Sequence, residues 1–250
     1  MTDAQLSEEP LREWLQQAPF FRDLSAAQRQ EVVQAARRQK FERDSFLFQQ
    51  GDPASSLYLL LTGRLRILQV TPDGQQVLLR VITPGETFGG IVVLDHADYP
   101  ASARAVEDCA VLVWDRETLA RLMEHCPRLA LNALQVLADR IQSLQDQYRE
   151  LATERVERRL ARALLRLTRQ TGRRVEAGVL IDFPLSREDL AEMTGATLFT
   201  VSRILSGWER EGLIKTDRQR ILIRFPHGLV AIAEDLPASP APLETAGLFR

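Results

Sequence analysis

The sequence predicts an α+β protein in which two domains are joined by a long helix, and three patterns support this prediction. Short strand-like runs separated by turn residues extend from about Phe41 to Trp114. Apolar residues at helical spacing follow between Leu134 and Leu151, and a helix-turn-helix pattern with a hairpin after it lies between Leu185 and Arg224. We expect four segments, at residues 1–126, 127–152, 153–235 and, as a flexible tail, 236–250.

The composition is that of a globular protein. Of the 250 residues, 45% are hydrophobic and 26% are charged, which excludes a wholly disordered, collagen-like or rod-like chain. No apolar run approaches the roughly 20 residues that cross a bilayer, and Met1–Pro10 is polar, unlike a secretory signal, so we expect a cytoplasmic protein with no membrane partner. The two cysteines lack metal-ligand spacing, and we expect no structural metal. The net charge of −2 does not exclude nucleic acid binding, because that depends on where the charges lie.

The first half of the chain predicts short helices followed by a sandwich or barrel of strands. Residues 9–38 carry apolar residues at helical spacing, with Ser25 as a cap for the second helix. Asp73 and Gly74 lie between two strand patterns and predict a hairpin with a tight primed turn, since glycine adopts positive φ without steric cost. The strand runs lie at 46–48, 57–61, 65–70, 77–82 and 110–114.

A narrow apolar seam predicts that the long helix pairs with a second copy of itself. Its members recur at alternating spacings of three and four residues, and the residues between them are polar. This is the pattern of a coiled coil, in which side chains of one helix fit between those of another. The alternative is that the seam packs on the β domain of its own chain. The predicted dimer-interface residues are Leu134, Leu137, Ile141, Leu144, Tyr148 and Leu151.

Residues 153–174 predict another helix, which we expect to end at Thr171 because Gly172 follows and glycine is the usual residue past a helix C-terminus. A helix-turn-helix follows, in which Ser186 caps the first helix, Gly195 supplies the turn and Thr197 caps the second helix. The expected inward-facing residues are Leu190, Ala191 and Met193 in the first helix and Val201, Ile204, Leu205 and Trp208 in the second.

The N-terminal half of the second helix predicts DNA readout, because a recognition helix offers this part to base edges in the major groove. Arg203 is the candidate for a guanine contact, since a guanidinium can donate to O6 and N7 together. Residues 212–224 predict a hairpin wing whose basic side chains contact phosphates, which gives affinity without reading sequence. The alternative is an ordinary helical hairpin with solvated charges. The predicted DNA-contacting residues are Arg187, Thr197, Leu198, Phe199, Thr200, Ser202, Arg203, Lys215, Arg218 and Arg220.

Taken together, the residues resemble those of the CRP/FNR superfamily of bacterial transcription regulators over about residues 20–232. The likeness rests on Gly51, Asp52, Leu57, Tyr58 and 63–65 in the strand region, on 85–89 after it and on 200–205 in the second helix. The resemblance implies an N-terminal jelly-roll (β-roll) domain of the cyclic-nucleotide-binding kind, a long dimerisation helix and a C-terminal winged helix-turn-helix. It further implies a homodimer on a palindromic operator in double-stranded DNA, with RNA polymerase as another partner.

The effector pocket departs from that of the cyclic-AMP-binding members of this family. Those members carry a glutamate for the ribose where this chain has Gly90, and an Arg-Ser pair for the cyclic phosphate where it has Tyr99 and Pro100. A buried phosphate without a cation is costly, so we do not expect cyclic AMP unless Arg104 turns inward. The predicted pocket residues are Gly85, Glu86, Phe88, Gly89, Gly90, Tyr99, Ser102 and Arg104.

Other signals remain as hypotheses. Iron–sulfur sensing needs N-terminal cysteines, and none precedes Cys109, so we expect no cluster. Residues 98–105 resemble the nitric-oxide-responsive branch, in which haem would take His96 or His125 as axial ligand. A thiol switch would use Cys109 and Cys126. The last hypothesis is an unidentified ligand, or none, with activity set by protein abundance.

The recognition helix departs from the family as well. Many members place a glutamate before the threonine of the recognition motif, whereas Phe199 stands before Thr200 here and would meet a thymine methyl group. A competing function is a ligand-binding or redox module whose helix-turn-helix contacts protein. We do not expect an enzyme, since the sequence offers no nucleophile–base pair, paired catalytic carboxylates or phosphate loop at usable spacing.

Overall fold

The structure is a computed structural model that describes residues 15, 18–90, 98–217 and 219–236. It divides into two compact units, Met1–Gln145 and Asp146–Arg250. Most of the predicted tail and most of the first N-terminal helix pattern lie outside the described residues.

The predicted strand region of the first unit forms two four-stranded antiparallel sheets. Its elements are the 3₁₀ turn Pro19–Phe21, α1 Ala26–Gln34, β1 Arg37–Phe41, β2 Phe46–Phe48, β3 Ser56–Thr62, β4 Leu65–Val70, β5 Gln76–Ile82, β6 Thr87–Phe88, β7 Ser102–Ala105, β8 Cys109–Asp115, α2 Arg116–His125 and the start of α3 Pro127–Thr153. The sheet orders are β1-β8-β3-β6 and β2-β7-β4-β5. The predicted sandwich is therefore confirmed.

Strand β3 is buried on both faces, which explains its nearly continuous apolar run. Tyr58 and Leu60 point into the interior between the sheets. Leu57, Leu59 and Leu61 point the other way and pack with residues of the flanking helices. Successive side chains of a strand alternate between faces, so one run of residues contributes to two clusters. The interior cluster is Phe48, Ala54, Tyr58, Leu60, Leu65, Ile82, Phe88, Tyr99, Ala103, Ala105, Cys109, Val111 and Val113.

The N-terminal prediction is correct for one helix and wrong at its end. Ser25 caps α1 and forms a capping box with Gln28, as the sequence suggested. The helix stops at Gln34, and Arg37 already begins strand β1. The side chains of β1 are mostly exposed, because the strand lies at the edge of its sheet and pairs only with β8. It therefore lacks the apolar alternation that marks a strand in the sequence.

The hairpin at Asp73 and Gly74 exists, but its turn is not a primed two-residue turn. The Gly74 N–H donates to the Thr71 carbonyl at 2.8 Å, and the Thr71 N–H donates to the Gln75 carbonyl at 2.9 Å. Only Gly74 has positive φ, at 84°. This is the arrangement of a turn followed by a left-handed residue, which three-residue hairpin loops commonly use.

Over its described residues, 146–217 and 219–236, the second unit combines a four-stranded sheet with five helical segments. Its elements are the end of α3, α4 Val156–Thr171, β9 Gly172–Val175, β10 Gly178–Ile181, α5 Arg187–Thr194, α6 Leu198–Arg210, β11 Ile214–Asp217, β12 Arg220–Ile223 and α7 Pro226–Glu234. The sheet order is β11-β12-β10-β9. The β11–β12 hairpin agrees with the prediction, whereas β9 and β10 were not predicted; β10 pairs with β12 and joins the two hairpins into one sheet.

Buried ion pairs fasten the end of α3 to α4. One guanidinium nitrogen of Arg166 donates to both oxygens of the Glu150 carboxylate, at 3.1 and 2.9 Å. Arg162 lies 3.2 Å from the Glu154 carboxylate. Both carboxylates are only 8% exposed. Part of the arginine run in this helix is therefore structural.

Helix α4 ends at Thr171 as predicted, but the reason differs. Gly172 has extended backbone angles, φ −71° and ψ 129°, and not the left-handed conformation of a glycine cap. A Cβ at this position would lie 2.2 Å from the Thr168 carbonyl oxygen. The glycine is thus required by the close approach of the backbone where the helix turns into β9.

Candidate functional site

Local hydrogen bonds build the helix-turn-helix. The Ser186 Oγ accepts from the Asp189 N–H at 3.0 Å, and the Asp189 carboxylate accepts from the Ser186 N–H at 2.8 Å. Gly195 ends α5 with φ of 58°, a left-handed conformation that glycine adopts without steric cost. Thr197 caps α6 by accepting from the Thr200 N–H at 3.2 Å. The caps that the sequence predicted are therefore present.

The inward faces agree with the prediction except that two predicted residues are only half-buried. The buried residues of α6 are Val201, Leu205 and Trp208, with Ile204 half-buried. In α5, Met193 is only half-buried, and Thr194 is buried in its place at 1% exposure. The Thr194 hydroxyl donates to the Leu190 carbonyl at 2.6 Å, so its polar group is satisfied within the helix.

The outer face of α6 begins with two exposed apolar residues. Leu198 is 43% exposed and Phe199 is 77% exposed. Arg203 is also exposed and lies one helical turn after Phe199, while Thr200 and Ser202 are half-buried. The residues predicted to read bases thus lie on the accessible N-terminal half of this helix.

The wing consists of β11 and β12, paired from Ile214 with Ile223 to Asp217 with Arg220. Lys215 and Arg220 are exposed, as phosphate-contacting residues must be. The third predicted wing residue, Arg218, lies outside the described residues.

Glu209, which was not among the predicted site residues, connects the wing to α6. Its carboxylate accepts from the Thr216 N–H and from the Thr216 hydroxyl, both at 2.7 Å. The hydrogen bonds from Thr216, together with the nearby Arg187, hold the pKa of the Glu209 carboxyl below its usual range, although burial acts in the opposite direction. The sequence offers one signal for such a role: Glu209 lies in the last turn of a helix, where the helix dipole disfavours a negative charge unless another group stabilises it.

A groove of about 430 Å³ lies between the start of α5, the helix α6 and the wing. Its apolar lining includes Leu190, Leu205 and Ile221. Predicted DNA-contacting residues from both helices and from the wing also line it, namely Arg187, Leu198, Ser202 and Arg220. The fold thus gathers residues that are far apart in the sequence.

The apolar seam of α3 is exposed in the single chain. Its exposed members, between 48% and 75% exposed, are Leu134, Ile141, Leu144, Tyr148 and Leu151. Leu137 is half-buried. Leu131, which is 57% exposed and lies three residues before Leu134, extends the seam, and its spacing in the sequence is the signal that indicates this. The exposed seam residues Leu134, Ile141 and Leu144 are thus left largely uncovered by the β-roll of their own unit.

Leu151, the last predicted seam residue, also contacts the helix-turn-helix. A Cβ at Gly195 would lie 2.9 Å from the Leu151 Cδ2 atom, so the leucine packs on the turn between α5 and α6. Beside it, the Arg159 guanidinium donates to the carbonyls of Thr194, at 2.9 Å, and Glu154, at 2.8 Å. The end of α3 and the turn of the helix-turn-helix are therefore held together within the second unit.

Four aromatic residues pack in the interior of the β-roll, and two of them belong to the predicted effector pocket. The rings of Phe48 and Tyr99 stack with centroids 3.8 Å apart, and those of Tyr58 and Phe88 stack at 5.1 Å. The Tyr99 hydroxyl donates to the Ser56 carbonyl and accepts from the Ser56 N–H, both at 3.1 Å. Burial, together with the neighbouring Tyr99, raises the pKa of Tyr58 well above its usual range. Phe88 and Tyr99 are thus part of the core.

Gly89 and Gly90 lie where a side chain has little room. Gly89 has φ of 77°, and a Cβ there would lie 2.9 Å from the Tyr58 ring. A Cβ at Gly90 would lie 2.1 Å from Leu57 Cδ1 and 3.1 Å from Leu57 Cβ, and Leu57 is buried. The glutamate of the cyclic-AMP-binding members does not fit this packing without displacement of Leu57.

Arg104 does not turn inward. In strand β7 it lies between Ala103 and Ala105, which are buried in the interior. Its guanidinium pairs with the Asp44 carboxylate at 3.0 Å and lies 5.8 Å from the centroid of the Phe46 ring. The sequence allows a cyclic phosphate only if Arg104 turns inward, and this structure does not meet that condition.

The other predicted pocket residues have protein partners of their own. The Gly85 N–H donates to the backbone of β3. The Glu86 carboxylate accepts from Arg80 at 2.5 Å. The Ser102 Oγ accepts from the Gln50 N–H at 2.9 Å. The structure thus divides the predicted set between the aromatic core and separate polar contacts.

The two cysteines are buried in different clusters, Cys109 in the interior of the roll and Cys126 among the helices. Burial raises the pKa of the Cys109 thiol to about 11. His125 is exposed, and its Nδ1 lies 2.7 Å from the Arg121 carbonyl oxygen. His96 lies outside the described residues. Within the described part of the chain there is no group of three or more His, Cys, Asp and Glu residues that could hold a metal ion.

The helices of the described residues include none with the length and apolar character needed to cross a membrane.

Residues 38–126 match the family described as Cyclic nucleotide-binding domain, and residues 158–232 match the Crp-like helix-turn-helix domain.

Three comparisons with known proteins agree with the fold and with these domains. The chain is similar to the Cyclic AMP receptor protein of Thermus thermophilus, with 30% identity over 207 residues that cover 83% of this chain and 93% of that protein. It is similar to the Anaerobic regulatory protein of Bacillus subtilis, with 26% identity over 82% of this chain and 87% of that protein. It also resembles the solved structure of a CRP-family transcriptional regulator from Thermus thermophilus, with a TM-score of 0.66, 28% identity and coverage of 79% of this chain and 97% of that one. The chain belongs to the CRP/FNR superfamily and is a DNA-binding transcription regulator.

Proposed function

We propose that the protein acts as a homodimer that places one α6 helix in the major groove at each half of a palindromic operator. The observation that carries this proposal is the exposed N-terminal half of α6, with the groove and the basic wing beside it. The exposed seam of α3 supports dimerisation, because pairing with a second copy removes its apolar side chains from water. Two-fold symmetry then gives half-sites about one helical turn apart.

Selection from a randomised palindrome pool with the purified full chain tests this proposal. We expect one palindrome to be enriched and the complex to contain two chains per duplex. Arg203→Ala should lower discrimination at a guanine by about 1–3 kcal/mol, whereas Arg220→Ala should weaken binding to all sequences alike and reduce its salt dependence. Binding without enrichment of any sequence would contradict the proposal.

The dimer has a separate test in the seam. Ile141→Asp with Leu144→Asp should produce monomers at low micromolar concentration, because each new carboxylate would be buried against the partner helix. Gln142→Asp, on a polar position of the same helix, is the matched control and should leave the dimer intact. A double variant that still sediments as a dimer would remove the seam from the interface.

We infer further that the β-roll does not bind cyclic AMP in the manner expected of the cyclic-AMP-binding members of the family. Its activity then follows protein abundance or an unidentified signal. The buried Tyr99, the crowded Gly90 and the outward Arg104 support this inference. Calorimetric titration with cyclic AMP should show no binding at micromolar concentration, and saturable binding would contradict it.

Haem and thiol sensing receive less support. An axial histidine in an enclosed apolar site is the usual setting for haem, whereas His125 is exposed; a Soret band in the purified protein would restore this hypothesis. Burial of both thiols likewise disfavours rapid oxidation. As a bacterial regulator the protein would act in the cytoplasm, with RNA polymerase as its further partner.

A further inference from the structure

The tip of α6 carries an apolar side chain that the protein itself does not cover. Phe199 is 77% exposed, although most large apolar side chains of the second unit are buried. Leu198, beside it, lines the groove next to the wing, while Phe199 does not. Burial of an exposed aromatic ring stabilises a complex, so a partner with an apolar group is the natural occupant of this position.

Phe199 shares one helix face with Arg203. The two residues are four positions apart, which places them one turn from each other and about 6 Å apart along the helix axis. Both are exposed. Base pairs are stacked about 3.4 Å apart, so the two side chains can reach bases within two base pairs of each other.

The side chains near this tip limit which bases can be read. Between Thr197 and Ser206 the sequence has no carboxylate and no carboxamide. These are the groups that accept from the amino group of cytosine or bind adenine in two places. The hydroxyls of Thr197 and Thr200 lie 2.9 Å from each other, and Thr197 also accepts from the Thr200 N–H. The first carboxylate after this stretch, Glu209, is bound to Thr216.

The exposed Phe199 and Arg203 offer two readouts. A guanidinium can donate to guanine, and an apolar ring can contact the C5-methyl group of thymine. We propose that Phe199 is a specificity-determining residue that contacts a thymine methyl group within two base pairs of the guanine read by Arg203. This inference rests on the proposed function, because it needs a selected operator.

Replacement of thymine by deoxyuridine in the selected operator tests the proposal, since it removes the methyl group and leaves the hydrogen-bonding edge unchanged. Burial of one methyl group corresponds to about a fourfold change in affinity, so substitution at that thymine in both half-sites should weaken binding by about fifteenfold. Phe199→Ala should bind the thymine and deoxyuridine operators equally. Phe199→Leu, which keeps an apolar side chain, should retain part of the difference.

Two controls separate methyl recognition from general loss of binding. Arg220→Ala should weaken both operators by the same factor, because a phosphate contact does not distinguish them. Circular dichroism of Phe199→Ala should be unchanged, since the side chain is exposed. A selected palindrome that binds equally well with deoxyuridine at every position near the guanine would overturn this inference alone. Selection of no palindrome would overturn both the inference and the proposed function.

Discussion

Removal of the Tyr99 hydroxyl should destabilise the β-roll by about 1–2 kcal/mol. The side chain is 3% exposed, and its hydroxyl bonds to both the N–H and the carbonyl of Ser56 at 3.1 Å. A buried polar group that loses its partner costs about 1–3 kcal/mol, and the Ser56 groups would lose one here. Tyr99→Phe isolates this effect, because it keeps the ring stacked on Phe48. Tyr99→Ala also removes the stack and leaves a cavity, so we expect about 3–5 kcal/mol.

Urea unfolding measured by tryptophan fluorescence can locate the effect. Trp114 lies in the first unit and Trp208 in the second, and each is 1% exposed. In a Trp208→Phe background the remaining tryptophans, Trp14 and Trp114, both belong to the first unit, so the fluorescence transition reports that unit and should move to lower urea when Tyr99 is changed. Glu124→Gln, at an exposed position of the first unit outside the seam, is the control and should change stability by less than about 0.5 kcal/mol. A Tyr99→Phe protein as stable as that control would refute the role assigned to the hydroxyl.

Four further outcomes are expected. Glu209→Ala should weaken operator binding, measured by fluorescence anisotropy, by about 1–2 kcal/mol, because the wing loses two charge-assisted hydrogen bonds at Thr216. An unchanged affinity would show that the position of the wing does not depend on this contact. Cys109 should resist alkylation at pH 8, where a pKa of about 11 leaves about 0.1% thiolate, and its labelling rate should rise about tenfold per pH unit; rapid labelling of the native protein at pH 8 would contradict this. Gly90→Glu should create no cyclic AMP binding in calorimetry and should lower stability by about 1–3 kcal/mol, since Leu57 must move; an unchanged urea midpoint would argue against the crowding. Gly207→Ala, at a helical position with open space around the added methyl group, should raise stability by about 0.5–1 kcal/mol, and a loss of stability would show that the space is not open.

Features with local causes were predictable from the sequence. The caps at Ser186 and Thr197 need only a side chain three residues from a free N–H, and the left-handed Gly195 needs only the absence of a Cβ. Strands with alternating or continuous apolar residues were found for the same reason. The order of β domain, long helix and helix-turn-helix followed from the same patterns and agreed with the family resemblance, and the comparisons confirm it.

Features that depend on distant partners were not predictable. Strand β1 is held by pairing with β8 and carries a mainly polar sequence. Glu209 acquires its role only when the wing folds back beside α6. The orientation of Arg104 was predictable in part. Its neighbours Ala103 and Ala105 are small and apolar and point into the interior, and because successive side chains of a strand point to opposite faces, the arginine points outward. This alternation is present in the sequence, but it could be applied to Arg104 only once the strand was known to span Ser102–Ala105.

The ion pairs of Glu150 and Glu154 with α4 have a consequence for hydrogen exchange. Glu150 lies in the last turn of α3 and Glu154 directly follows that helix, and both residues belong to the second unit. The amide protons of α3 would then exchange with solvent through two different opening reactions. Those before Gln145 would exchange when the β-roll unit opens, and those after Asp146 when the DNA-binding unit opens. A variant that weakens only the DNA-binding unit should accelerate exchange in the last turns of α3 while the preceding turns keep their protection.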